Sequence, residues 1–460
     1  MKILFGLYRP DKGEILIKGE HFEGLTPANS VARGISMVHQ HFKLIERHTV
    51  AENIALGFAT HQLFPIREVE IKIEEFSKRY GLLVDPKAFI WQLSAGERQR
   101  VEIIKALYQD PDILILDEPT SVLTPGEVQE LFSTLQLMKK EGKGIIFVTH
   151  KLDEVMAISD RITILRRGKV VNTIKCSETN KQELAKMMVG REILFTLQKE
   201  PVEQGKVVVE IQNLRVFDDM GILAVKDLSL TIHEGETVGI AGVAGNGQRE
   251  FVEAITGLRK VSSGKVLLME KDVTNRSPRV ITELGVAHIP EERIRLGLSP
   301  NLSVEENLIL KMYYIAPYSD GIFLNTSYIS SVTKNLMAEY EIMAPSPSIP
   351  AKQLSGGNIQ RLILARELTG DPRVIIAAHP TYGLDVGATE YVRQRLLGER
   401  KRGAAILLIS EDLEEILTLS DRVAIIFEGK IMGIVAVEEA NIEDIGLLMA
   451  GTKKVEDEMI

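Results

Sequence analysis

Ile113-Leu114-Ile115-Leu116-Asp117-Glu118-Pro119 is a run of four apolar residues closed by two carboxylates and a proline. The chain writes it again, in damaged form, as Ile375-Ile376-Ala377-Ala378-His379-Pro380. A buried strand ending this way delivers two carboxylates to a sheet edge, where one holds magnesium and the other takes a proton from attacking water. The pattern makes Asp117 the candidate metal ligand and Glu118 the candidate base. An acidic strand end before a proline turn is also ordinary architecture, so the reading depends on what accompanies it.

Around the first copy lie Gln40, Leu93-Ser94-Ala95-Gly96-Glu97 and His150; around the second lie Glu291, Leu354-Ser355-Gly356-Gly357-Asn358 and Glu411, in the same order. The interval 291 − 40 is 251, whereas 355 − 94, 378 − 117 and 411 − 150 are each 261. One motif set is therefore written twice in register, with a ten-residue insertion in the second copy. Damage to the two copies falls in complementary places, which points to a composite site.

The 460 residues suit two domains of roughly 200 residues each rather than one core. With 45% apolar and 26% charged residues the composition is that of a globular protein. A net charge of -9 disfavours nucleic acid as a partner. Cys176 is the single cysteine and makes no intrachain disulfide; the longest apolar runs, such as Ala404 to Ile409, fall far short of a membrane span. Met1 to Pro10 does not make a signal peptide. These features predict a cytoplasmic protein that meets a membrane only through a partner.

Short β-rich runs (Ile35 to Val38, Ile113 to Leu116, Ile145 to Val148) alternate with amphipathic segments such as Val128 to Lys139, the α/β pattern. Val50 to Ile90 reads as a mostly helical insert, repeated in longer form by Val304 to Ile349. The expected domains are 1–190 and 207–452, joined by a polar linker over 191–206 and followed by a tail, 453–460. Two strand-like runs, Val207 to Val216 and Ala224 to Ile232, open the second half and have no counterpart in the first. Aligning Phe5-Gly6-Leu7 with Thr256-Gly257-Leu258 keeps the interval of 251 and places the partners of Gly242 to Gln248 ahead of Met1. The first phosphate-binding loop is therefore expected to be missing from this chain.

That loop in the second half, Gly242-Val243-Ala244-Gly245-Asn246-Gly247-Gln248-Arg249, follows a strand over Thr237 to Ala241 and precedes a helical pattern, as a phosphate cradle must. Gln248 and Arg249 stand where a working loop has Lys for the phosphates and Ser or Thr for magnesium. Backbone N–H groups still suit phosphate oxygens. Ser355-Gly356-Gly357-Asn358 opens a helix, so hydroxyl, bare backbone and helix N-terminus can face a γ-phosphate. Ser94-Ala95-Gly96-Glu97 nearly matches it, although Ser94 with Glu97 also spells a capping box. Gln40 and His150 each end a strand-like run and are placed to reach the γ-phosphate, the metal or the attacking water. In the second half Ala378 cannot coordinate, and Glu291 and Glu411 bring negative charge toward phosphate, so hydrolysis is expected in one site only.

Together these residues resemble the ATP-binding cassette (ABC) family, specifically the importers that fuse two cassettes in one subunit, over nearly the whole chain. The resemblance implies two tandem P-loop α/β domains, each with a RecA-like core, an antiparallel β subdomain and a helical subdomain. It implies ATP and Mg2+ as ligands, and head-to-tail pairing of the halves. One site would then use Gln40, Asp117, Glu118 and His150 with Ser355, Gly356, Gly357 and Asp385. The other would use Gly242, Gly245, Asn246, Gly247, Gln248 and Arg249 with Ser94, Ala95 and Gly96. Thr124 stands where Asp385 stands in the second half. The family's partners are integral membrane permease subunits and, indirectly, a solute-binding receptor, at the cytoplasmic face of the membrane. Gly245-Asn246-Gly247-Gln248, Ala377-Ala378-His379-Pro380-Thr381 and Leu384-Asp385-Val386-Gly387-Ala388 look most similar to nucleoside importers, with ribose and galactose importers as the alternative. Two readings of other kinds stand beside these. A soluble tandem-cassette translation factor is disfavoured by the short linker and the degraded second half; a non-hydrolysing regulatory nucleotide binder fits the absence of one loop.

Overall fold

The computed structural model describes residues 1–39, 42–56, 66–120, 123, 125–166, 168–190, 199, 205–243 and 245–449. The chain divides into two compact units, Met1–Glu192 and Ile193–Ile460. Gln40, Thr124, Ala244, nearly all of the expected linker and the tail lie outside the described residues.

Unit 2 is built on a six-stranded sheet in the order Val286–Ile289, Val374–Ala378, Ala405–Ser410, Thr237–Ala241, Arg422–Phe427, Lys430–Ala436. All neighbours are parallel except the last pair. Val374–Ala378, Ala405–Ser410 and Thr237–Ala241 are buried along their whole length, which is why they read as continuous apolar runs and not as an alternation. A four-stranded antiparallel sheet, in the order Lys271–Asp272, Ser263–Leu268, Val207–Phe217, Leu223–His233, supplies the second layer. Phe251 of the helix Gln248–Ile255 is fully buried in the core that joins the two layers.

Unit 1 repeats part of this plan. Its parallel sheet has three described strands, Ile35–Val38, Ile113–Asp117 and Gly144–Val148. Among the described residues Gly144–Val148 pairs only with Ile113–Asp117, and its last four residues are half-buried where the equivalent Ala405–Ser410 is wholly buried. Its antiparallel elements among the described residues are two hairpins, Ile15–Ile17 with Glu20–Phe22 and Arg161–Arg166 with Lys169–Lys175.

The inserts are helical, with Val50–Ala55 and Ile66–Tyr80 in unit 1 and Val304–Leu308 and Thr326–Glu339 in unit 2. Both open on a capping box, Thr49 with Glu52 and Ser303 with Glu306, satisfying two orphan donors reciprocally. A buried asparagine then fixes the preceding turn in each. Asn53 accepts from Ile45 N (2.7 Å) and donates to Ile45 O, and Asn307 does the same with Ser299 N (2.9 Å) and Ser299 O. The mostly helical second insert also carries a feature the sequence did not signal. A small hairpin, Ser319–Asp320 with Phe323–Leu324, turns at Gly321 with φ +62°, a left-handed conformation that glycine adopts without strain.

Candidate functional site

In unit 2 four adjacent parallel strands bring their carboxyl ends to one edge. The pairings Ile289 with Ala377, Ala378 with Ile409 and Ala241 with Ser410 set the alignment. Glu291, His379, Glu411 and the Gly242–Gln248 loop therefore leave the sheet side by side, the position at which open α/β sheets bind ligands. Unit 1 has the same register, with Val38 opposite Leu116 and Asp117 opposite Val148. Glu118 N donates to Val148 O (2.9 Å) and His379 N to Ile409 O (2.7 Å); the two residues also share a left-handed φ, +49° and +46°.

At the unit 1 edge, Nδ1–H of His150 donates to Glu118 Oε1 at 3.0 Å. The structure thus joins the predicted base to the predicted histidine. Asp117 is half-buried at the end of its strand, near enough to His39 to act on it electrostatically.

Below both edges lies a contact that sequence reasoning missed. Glu154 accepts from Thr120 Oγ1 (2.6 Å) and Thr149 Oγ1 (2.7 Å). Glu415 accepts from Thr381 Oγ1 (2.7 Å) and Ser410 Oγ (2.7 Å). Each carboxylate is buried, and each clamps the turn after one strand to the end of the next, so it fixes the backbone that carries Glu118 and His150, or His379 and Glu411. Burial pushes the Glu415 carboxyl up, against the hydroxyl donors and Arg393, which hold it down. The signal was present in the sequence, since both pairs are 34 residues apart.

The loop of unit 2 is pre-shaped. Gly245 and Gly247 have φ of +87° and +92°, and a Cβ on Gly247 would stand 2.4 Å from the Ala224 carbonyl oxygen. Asn246 Oδ1 accepts from Glu428 N (2.7 Å), tying the loop to the turn after Arg422–Phe427. The backbone then enters the helix Gln248–Ile255, so the residues present fit a phosphate group through backbone donors. The two side chains expected at the phosphates are turned elsewhere. Gln248 Nε2 donates to Val243 O (3.1 Å). Arg249 pairs with Glu253 (2.9 Å), one helical turn on, and with Asp219 (3.8 Å).

The signature residues differ between copies. Ser94 caps its helix in a full capping box, its Oγ also donating to Glu97 Oε2 at 2.8 Å. Gly96 packs against the Glu127 carboxylate, and Ala95 is the first residue of that helix. Ser355 makes no such cap; its Oγ accepts from Asn358 Nδ2 at 3.0 Å. A Cβ added to Gly356 would meet nothing within 4 Å and one on Gly357 would stand 3.7 Å from Ala388 Cβ, so both glycines have room around them. Asp385 caps the helix Val386–Lys401 by accepting from Ala388 N (2.8 Å).

A glycine-rich strand-to-helix loop on the α/β sheet of unit 2, and a Glu–His pair at the strand ends of the same frame in unit 1, define a P-loop nucleotide-binding protein with two cassettes. The ABC transporter family model matches residues 1–121 and 225–382, and the chain belongs to that family. It is 47% identical over 453 residues to the nucleoside import ATP-binding protein NupA of Lactococcus lactis, covering 98% of this chain and 90% of that protein. The guanosine import ATP-binding protein NupO of Bacillus subtilis is 46% identical, with 99% and 90% covered. The glucose import ATP-binding protein TsgD13 of Haloferax volcanii is 42% identical, with 98% and 88% covered.

Proposed function

We propose that this protein is the ATP-binding subunit of a nucleoside importer, coupling ATP binding and hydrolysis to uptake. The observation that carries the reading is the identity of 46 to 47%, over nearly the whole chain, to two importers named for nucleoside and guanosine. Bound ATP supplies the energy of a phosphoryl bond, and Mg2+ offsets charge on the phosphates. Asp117 and Gln40 hold the metal. Glu118 accepts the proton of the attacking water, kept in place by His150, and Ser355, Gly356, Gly357 and Asp385 of the second cassette complete this site by head-to-tail pairing. The second loop, with Ser94, Ala95 and Gly96, forms a site that binds nucleotide without turning it over. The helical inserts dock on membrane permease subunits at the cytoplasmic face, and a separate receptor delivers the solute. No described helix is long and apolar enough to cross a membrane, in keeping with a peripheral subunit.

Sugar import of the ribose or galactose type is the second reading, favoured by the 42% identity to a glucose importer and by 35% identity to a ribose import protein of Geobacillus kaustophilus. Uptake of radiolabelled guanosine and ribose by cells lacking the gene separates the two. Loss of guanosine uptake alone supports the first reading, and loss of ribose uptake alone replaces it with the second. ATP turnover by the assembled complex excludes a purely regulatory binder.

A further inference from the structure

The two strand edges carry the same chemical groups in exchanged places. The first has Gln40, Asp117, Glu118 and His150; the second has Glu291, Ala378, His379 and Glu411. Each set holds two carboxylates and one imidazole, so the formal charge is conserved while its location is inverted. The carboxylates have moved from the end of the central strand to the strands on either side, and the imidazole has taken the carboxylate's position. The backbone has not changed with them: the same N–H to carbonyl bond, the same left-handed φ and the same buried carboxylate clamp hold Glu118 and His379. Simple decay would not be expected to preserve both the frame and the group inventory.

At that position a carboxylate accepts a proton, whereas an imidazole N–H donates a hydrogen bond to a phosphoryl oxygen. The usual cationic contacts are missing from this loop, because Gln248 is turned onto Val243 O and Arg249 is paired with Glu253 and Asp219. Arg293, two residues past Glu291, donates to Tyr382 O. Among the described residues at these strand ends His379 is the nitrogen donor that remains. We propose that His379 binds the terminal phosphate of a nucleoside triphosphate on the Gly242–Gln248 loop, so that the second cassette holds ATP in preference to ADP. Burial pushes the Glu411 carboxyl up, His379 pulls it back down and Glu291 adds to the rise, as expected of carboxylates gathered around one imidazole. No bond is broken in this role, since Ala378 offers no metal ligand.

This inference rests on the reading that the second loop binds nucleotide, and the test separates the two. The transport complex is photolabelled with 8-azido-ATP and with 8-azido-ADP, and labelled peptides are assigned to the second cassette. The unaltered protein should favour the triphosphate. His379→Ala should lower the triphosphate-to-diphosphate ratio about tenfold with diphosphate labelling unchanged, and His379→Gln, which keeps an N–H donor, should retain most of it. His379→Glu installs the residue that the first cassette carries on the same backbone, which guards against a folding failure, and should also abolish the preference. A ratio unmoved by the Ala and Glu variants overturns the role of His379. Absence of any label on the second cassette of the unaltered protein overturns nucleotide binding there.

Discussion

Replacing Glu415 by alanine removes, in one step, the acceptor of two buried hydroxyls. The side chain is 1% exposed, and Thr381 and Ser410 are 8% and 4% exposed. Both bonds are 2.7 Å long and end on separate carboxylate oxygens. A hydrogen bond to a charged group contributes about 1.5–3 kcal/mol. Ser410 Oγ keeps its bond from Asp412 N (3.1 Å), which places the loss toward the lower end, roughly 4 kcal/mol for the pair. For a unit of this size each kcal/mol moves the midpoint by about 2–4 °C, so Glu415→Ala should lower the unit 2 transition by roughly 8–16 °C in scanning calorimetry of the full chain. Glu415→Gln keeps one acceptor and should lose less than half as much. The pH dependence gives an independent reading. Burial raises the Glu415 carboxyl in the folded state above its ordinary 4.5. Such a group stabilises fully below its unfolded pKa and loses that contribution as pH rises through its folded value. The advantage of the unaltered protein over Glu415→Gln should therefore widen as pH falls from neutral toward 4.5. A midpoint change below roughly 3 °C for the alanine variant would refute the clamp, and an advantage that narrows on acidification would refute the burial-raised carboxyl.

Glu118→Gln should reduce ATP turnover of the transport complex by about 10²–10⁴-fold while nucleotide labelling persists; unchanged turnover would remove Glu118 from the role of base. His288, drawn down to about 4 chiefly by burial, is depressed below its ordinary 6.5, so its contribution to stability is present above 6.5 and lost as pH falls toward 4. His288→Met, the residue that unit 1 carries at Met37, should flatten that acid-side decline in a pH series of melting curves; an unchanged slope would contradict it. Gly247→Ala forces a Cβ to 2.4 Å from Ala224 O at φ +92°, which should cost about 1–3 kcal/mol and abolish labelling of the second cassette; a variant that labels normally would show the loop to be more yielding than its geometry implies.

The strands that matter most were the easiest to read. Val374–Ala378 and Ala405–Ser410 are buried on both faces, so their sequence is apolar up to the last residue, and His379 and Ser410-Glu411 mark their ends. The repeat interval alone places His150, Glu291 and Glu411 at neighbouring strand ends, whereas Gln40 lies outside the described residues. Short-range polar geometry was less legible. Ser94 and Ser355 sit in nearly the same string of letters, yet one hydroxyl is held by Glu97 and the other by Asn358, because the residue three places on decides between a backbone cap and a side-chain contact. Arg249 was assigned from its column in a phosphate-loop motif; its partner one helical turn away, Glu253, claims the guanidinium instead. The hairpin at Ser319–Leu324 was missed because two residues per strand leave no alternation to detect.

Gly144–Val148 in unit 1 matters for handling as well as for architecture. Among the described residues it is hydrogen-bonded along one flank only, and Ile145, Ile146, Phe147 and Val148 are half-buried beside the other. Among the described residues that flank leaves a row of N–H and C=O groups unpaired, the arrangement on which an extended peptide or another copy of the strand can pair. Preparations of residues 1–192 should therefore cloud and form oligomers with rising concentration and temperature, and a soluble extended peptide of matching pattern should suppress that association by occupying the same flank.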